Sequence, residues 1–305
     1  MENIPITPYE TLYEAVQYFS DQSRCVAFLT KMRWGDDVCC PRCGSLSVTA
    51  LKTRQLWQCK DCERQFSVKV GTIFESSHIS LSKWLVAMWM VANDKNGISS
   101  YELHRQLGMT QKTAHFMAHR IRKAMEKGSV ELTNEIEVDE TYLNPSVHSR
   151  KKYRKNHHTA KERAIFGMVQ RGGEAFAKRV PDTKRKTLEP IIRNNINPVG
   201  ATIYSDSFVS YDPLRRFVEH YSVNHNKEWV NGKIHTQNIE CFWALFKRCL
   251  KGTYILVQDK HLNKYLDEEV FRYDHRKLTD KERFLIVAGS IVGKRLTYEQ
   301  MRNAA

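Results

Sequence analysis

Apolar spacing changes character twice along the chain. The segment "SLSKWLVAMWMVAND" (80–94) is apolar on nearly every side and predicts a buried helix, with Ser80 or Ser82 as its N-cap. In "ISSYELHRQLGMTQKTAHFMAHRIRKAMEKG" (98–128), Ser99 or Ser100 caps a short helix ending at Leu107. Gly108 makes a turn and Thr110 caps a second helix. Ala114, Met117, Ala118, Ile121 and Met125 form the apolar stripe of that second helix. From 135 the period becomes two. "EIEVDETYL" (135–143), "RAIFGMVQRGG" (163–173), "EAFAKRVPD" (174–182), "ATIYSDSF" (201–208) and "YSVNHN" (221–226) predict strands, the second and third joined through Gly172-Gly173. Helical spacing appears in "KRKTLEPIIRNNI" (184–196) and again in "HTQNIECFWALFKRCLKGTY" (235–254). In the latter, Phe242, Leu245, Phe246 and Cys249 share one face, while Glu240, Lys247 and Lys251 share the other. "DKHLNKYLDEEVFRYDHRK" (259–277) and "DKERFLIVAGSIVG" (280–293) complete an α/β plan of helices packed on a sheet.

Composition adds a partner to this plan. The 305 residues suit two or three domains, and 41% apolar content is enough for real cores. Lys and Arg exceed Asp and Glu by 48 − 34 = 14, an excess that points to a polyanion. In the second helix of 98–128, Lys112, His115, His119 and Arg122 recur on a face of their own. Two helices around a Gly turn with a basic outer face resemble a helix-turn-helix reader of DNA; an ordinary hairpin with a solvated charged face is the alternative. "HSRKKYRKNHHTAKER" (148–163), with seven Lys/Arg and one acid, is a phosphate-binding arm carrying Lys151, Lys152 and Arg154, or else a solvated loop. The start "MENIPITPYETLYEAV" lacks an apolar leader core, and "WLVAMWMVA" (84–92) is about half of the ~18 residues a membrane span needs. A soluble, cytoplasmic protein is expected, nucleoid-associated in a bacterium.

Cysteine spacing supplies the first chemistry. Cys40-x2-Cys43 and Cys59-x2-Cys62 are separated by 15 residues, the spacing of a zinc ribbon. Four thiolates on two knuckles close a tetrahedron around Zn²⁺ and leave no open position for catalysis, so this zinc is structural. A disulfide pair or a redox dithiol is the alternative. Cys39 competes with Cys40, but only Cys40 makes both knuckles C-x-x-C. Cys25, Cys241 and Cys249 are expected as small buried hydrophobes.

Three acids supply the second. Asp139 and Asp206 lie at predicted strand ends, and Glu240 lies on a helix. Carboxylates from separate elements suit Mg²⁺ or Mn²⁺, hard ions that take oxygen ligands. Without a cation they would repel and their pKa values would rise.

"VDETYL", "IYSDSFVSY" and "HTQNIECFWALFKRCLKGTY", in that order, resemble the catalytic blocks of DDE transposases. With "CPRCG…CKDC" in front and "HLNKYLDEEVFRYDHR" behind, the chain over about 20–280 is similar to the ISXO-type insertion-sequence transposases, relatives of the Merlin transposons. The resemblance implies an RNase H-like catalytic domain, a mixed sheet flanked by helices, over 131–280. A helical segment (1–35), the zinc ribbon (36–75) and the helix-turn-helix-like region (76–130) precede it, and a helical tail (281–305) follows. It makes Asp139, Asp206 and Glu240 the ligands of catalytic magnesium or manganese, two ions in the family picture, and Lys247 a contact to the element's end, with Lys251 beside it. Glu140 is expected on the other sheet face, and His235 and Asn238 as caps of the helix start. The implied reaction cuts double-stranded DNA at terminal inverted repeats. It then joins the freed 3′-hydroxyl to target DNA, in a dimer or larger assembly. The rival expectations are a zinc-ribbon regulator that binds DNA without cutting and another RNase H-like nuclease.

Overall fold

The computed structural model describes residues 9–144, 162–206, 209–223 and 232–303. The chain divides into two compact units, Met1–Met125 with Lys277–Ala304, and Glu126–Arg276.

The first unit opens with α1 (Leu12–Tyr18), started by a Thr11/Glu14 capping box, and α2 (Gln22–Trp34), capped by Asp21. A three-stranded antiparallel sheet follows: β1 (Val48–Leu51), β2 (Leu56–Cys59) and β3 (Gln65–Phe66), in that order. α3 (Leu81–Asn93) starts at Ser80, as the pattern predicts, and is buried over most of its length. α4 (Ser100–Leu107) carries a Ser99/Glu102 capping box and ends at Gly108 in the left-handed region, where the missing Cβ removes the steric cost. Thr110 then caps α5 (Gln111–Met125) through the Thr113 amide. The last two helices, α9 (Asp280–Gly289) and α10 (Tyr298–Arg302), belong to this unit: Phe284 of α9 lies 5.3 Å from Trp89 of α3 and 5.7 Å from Phe28 of α2.

One expectation for α5 is corrected. Ala114, Met117, Ala118, Ile121 and Met125 are buried as the stripe predicts, but so are His119 and Arg122, at 0% and 2% exposure. Arg122 therefore does not stand on an outer basic face. The helix is covered on more than one side, as Arg120 illustrates. Its guanidinium lies over Phe116 (5.0 Å) and Trp84 (5.7 Å) and donates to the carbonyls of Leu296 and Glu75. Helical spacing of cations does not by itself separate an outer face from an interior one in which the aliphatic stems pack.

The second unit is a five-stranded mixed sheet flanked by helices. Its strands are β4 (Glu135–Leu143), β5 (Arg163–Gln170), β6 (Ala175–Arg179), β7 (Thr202–Asp206) and β8 (Glu219–Val223). Their order is β6-β5-β4-β7-β8. β4, β5 and β6 pair antiparallel, while β7 runs parallel to both β4 and β8, consistent with an RNase H-like sheet. α6 (Arg185–Asn195) and the turn Val209–Arg216 cover one face, where Ile136, Val138, Phe166, Leu188, Ile192 and Tyr211 form a core. α7 (Gln237–Cys249) and α8 (Leu262–Asp274) cover the other, with Ile165, Val169, Ile239, Phe242, Trp243 and Leu266 in a second core. β4 thus has both faces buried, which is why its alternation is broken by acids rather than by solvent-facing residues. Among the described residues no helix is long and apolar enough to cross a membrane.

Candidate functional site

The cysteine cluster is built by two tight turns. The Gly44 amide bonds the Cys40 carbonyl at 2.9 Å with Gly44 at φ +75°, and the Cys59 amide reaches the Arg64 carbonyl at 3.0 Å. The Cys40–Cys62 and Cys43–Cys59 sulfur pairs are 3.7 and 3.6 Å apart. All four sulfurs fall within 4.8 Å of one another. Metal–sulfur bonds of ~2.3 Å in a tetrahedron require sulfur separations of about 3.8 Å, so the four thiols have the geometry of a structural zinc site. At Cys40, burial favours the thiol, but amides of Arg42 and Cys43 and the neighbouring thiols outweigh it and draw its pKa down to about 7. Trp34, Trp57 and Phe66 pack around the cluster, with ring centroids 5.5 to 6.0 Å apart. Of the other cysteines, Cys25 and Cys249 are buried; Cys241 is exposed, contrary to expectation, because it falls on the solvent side of α7.

The acids sit at the middle of the second unit. β4 and β7 run parallel with Glu137 beside Tyr204. Continuing that register by two residues brings Asp139 and Asp206 level on neighbouring strands, on the sheet face that α7 covers. Burial, then the charges of Glu140 and Asp206, push the Asp139 carboxyl up to about 8. A 3.0 Å hydrogen bond from Trp243 Nε1 to Asp139 Oδ2 opposes this only in part. Gly167 makes that bond sterically feasible. It is the β5 partner of Asp139, and a Cβ there would come within 2.5 Å of the Trp243 ring. Glu140 projects to the opposite face, as expected, and accepts a hydrogen bond from the buried Tyr211 hydroxyl. Burial raises its pKa, Tyr211 lowers it, and Asp206 raises it further, the net being upward.

Glu240 lies one turn into α7, exposed, and accepts a 2.9 Å hydrogen bond from Thr236 Oγ1. Among the described residues no three acids fall within 4.8 Å of one another. The aspartates lie on neighbouring strands, near enough for the charge of Asp206 to act on Asp139, and Glu240 stands on the helix that covers that sheet face, three residues before Trp243. Lys247 is half-buried and Lys251 exposed, and both line an open groove with Ala244, Arg248 and Gly252. Lys112 is exposed, its ammonium 5.0 Å above the Tyr298 ring. His115 is half-buried, and burial followed by the charge of Arg122 lowers its pKa. Lys151, Lys152 and Arg154 lie outside the described residues.

A residue without an expected role fixes α7 in place. Glu137, with no exposed surface, accepts hydrogen bonds from the Asn238 amide (2.7 Å), the Asn238 side chain (2.8 Å), the Ile239 amide (3.1 Å) and Arg171 Nε (2.8 Å). His235 Nδ1 lies 3.3 Å away. The Asn238 and Ile239 amides are thus satisfied by a strand carboxylate and Asn238 donates rather than caps, while His235 Nδ1 accepts from the Gln237 amide at 3.4 Å, as expected of a cap at the helix start. Arg171 also stacks over Tyr204 at 4.1 Å and donates to the carbonyls of Lys233 and His235. The signal in the sequence was an acid at an inward position of "EIEVDE", which requires a buried partner.

Residues 131–274 match the family described as the ISXO2-like transposase domain, and residues 20–65 match the transposase zinc-ribbon domain. An "uncharacterized protein in transposable element ISH50" of Halobacterium salinarum is 26% identical over 280 residues, covering 84% of this chain and 94% of that protein. A solved simian T-cell lymphotropic virus intasome, in complex with PP2A regulatory subunit B56 gamma, is similar at a TM-score of 0.29 and 12% identity. The match covers 60% of this chain and 66% of that one. The two matched domains, the sulfur geometry of the ribbon and the mixed sheet that follows it lead to one assignment: the chain belongs to the ISXO2-like DDE transposases that carry an N-terminal zinc ribbon.

Proposed function

We propose that this chain binds double-stranded DNA at the inverted ends of its element, cuts it, and joins the freed 3′-hydroxyl to target DNA. The observation that carries the reading is the paired placement of Asp139 and Asp206. Asp139, pushed up to about 8 by burial and by the charges of Glu140 and Asp206, forms with Asp206 on the neighbouring strand a donor set that a divalent cation suits. Asp139 and Asp206, with Glu240 from the adjacent helix, would hold Mg²⁺ or Mn²⁺. Such ions, two in a site of this kind, supply Lewis-acid stabilisation of the entering and leaving oxygens of a phosphoryl displacement. Trp243 orients Asp139 through Oδ2, and Glu137 anchors the start of α7, the helix from which Glu240 would reach the metal. Lys247 and Lys251 of the second unit receive the phosphate backbone, and Lys112 of α5 in the first unit makes a separate phosphate contact, each adding to a salt-dependent affinity. Two ends must meet for joining, so the working form is a dimer or larger assembly.

The exposed position of Glu240, outside a three-acid cluster, favours one other reading: a protein that binds DNA and does not cut. Purified chain, Mg²⁺ and short duplexes taken from the DNA flanking its gene decide between them. The proposal expects nicked strands and strand-joined products. Binding without any nicking would leave only the regulator, and nicking without joining would leave a nuclease.

A further inference from the structure

Beyond the end of α7, the chain makes a wide π-helical turn, Leu250–Tyr254, closed by a 2.8 Å bond from the Ile255 amide to the Leu250 carbonyl. Ile255 then takes φ +51°, a conformation that a β-branched side chain pays for in steric strain. Ile255 and Leu256 are 73% and 67% exposed. The residues on either side are anchored. Tyr254 donates to the buried Glu268 and sits 4.6 Å from the Tyr265 ring; Val257 is buried, and its carbonyl accepts from Arg163 Nη1 at 3.0 Å. Two large aliphatic side chains are thus held out in water by a strained backbone between fixed supports. A strained residue kept in place by its surroundings is a mark of function.

The closed turn brings Ile255 back to Leu250, next to Lys251, and the shallow open groove beside it is lined by Ala244, Lys247, Arg248, Lys251 and Gly252. Cations flanking a projecting apolar pair complement a polyanion whose interior is apolar. That is the chemistry of duplex DNA, whose base steps accept Ile and Leu side chains at the cost of unstacking. We propose that Ile255 and Leu256 form a wedge that enters the base stack of a duplex seated on Lys247, Arg248 and Lys251. The wedge rests on the reading that this chain binds DNA, and it would open the base step next to the phosphates that the lysines hold.

The test uses the full chain and short duplexes from the DNA flanking its gene, each carrying a fluorescent adenine analogue at a different step. Its emission rises on unstacking. Wild type should raise emission at one step only. The double variant Ile255→Gly, Leu256→Ser places at 255 the residue that takes this positive-φ backbone without steric cost, so its melting should not fall below wild type. It should bind with an unchanged salt dependence yet lose the emission rise. Binding by wild type without any rise, or an undiminished rise in the double variant, would overturn the wedge and leave DNA binding standing. No binding by wild type even at low salt would sink the DNA reading and the wedge with it. Sedimentation closes the remaining route: a wild-type dimer that the double variant splits would make the pair a self-association surface instead.

Discussion

Asp139 concentrates the chemistry of the site in one side chain. Its ordinary carboxyl value is 3.8, and burial with two acid neighbours raises it to about 8. Between those values the folded chain retains a proton that the unfolded chain releases, so this group's contribution to stability is complete below 3.8 and gone once pH passes about 8. Melting in chelator should therefore show wild type losing stability relative to Asp139→Asn as pH rises across that window. Mg²⁺ should restore wild type at the alkaline end. A difference that stays flat with pH would mean that Asp139 is not held in a buried setting beside other acids. Asp139 and Asp206 were legible as candidates because each is an acid in an apolar strand, although only Asp206 ends its strand; Asp139, expected at a strand end, stands in the middle of β4. Trp243 and Gly167 were not, since a hydrogen bond across 104 positions and the glycine that admits it depend on how α7 is laid over β5.

At the scale of elements, α7 shows what periodicity can and cannot establish. Its apolar face, with Phe242, Phe246 and Cys249 buried, and the shared face of Glu240 and Lys247 were legible from a 100° projection; Lys251, expected on the same helix, lies past its end in the π-helical turn. Its attachment was not, because the anchor is Glu137 on a strand 101 positions earlier. Glu137→Ala would strand Arg171 and the first amides of α7 in the interior. Unfolding in urea should show a loss of roughly 3–5 kcal/mol, and a loss within the range of a surface substitution would contradict the anchoring. α5 carries the opposite lesson: its cations recur at helical spacing, yet Arg122 is interior, since a spacing does not say how many sides of a helix are covered. The ribbon was the most legible element, because two C-x-x-C turns nearly determine their own geometry. Cys59→Ser should take bound zinc from about one ion per chain to near none and abolish the ribbon's protection from proteolysis; full zinc content would reject the four-thiol assignment.

Across the whole molecule, an excess of 14 positive charges and a buried acidic centre divide the work. In the proposed reading the cations would draw in and hold a polyanion, and the acids would gather metal where a phosphodiester can be displaced. The order of the sheet was not legible, because alternation predicts strands but not their neighbours; the family resemblance implied a mixed sheet flanked by helices and no more. The account stands on the aspartate pair as the centre of that chemistry. The most direct measurement is Mg²⁺-dependent nicking of the gene-flanking duplexes by Asp206→Asn beside wild type, with binding followed in parallel. The expected result is a fall in nicking of about 100-fold or more at nearly unchanged affinity. Nicking at the wild-type rate would contradict the account at its centre.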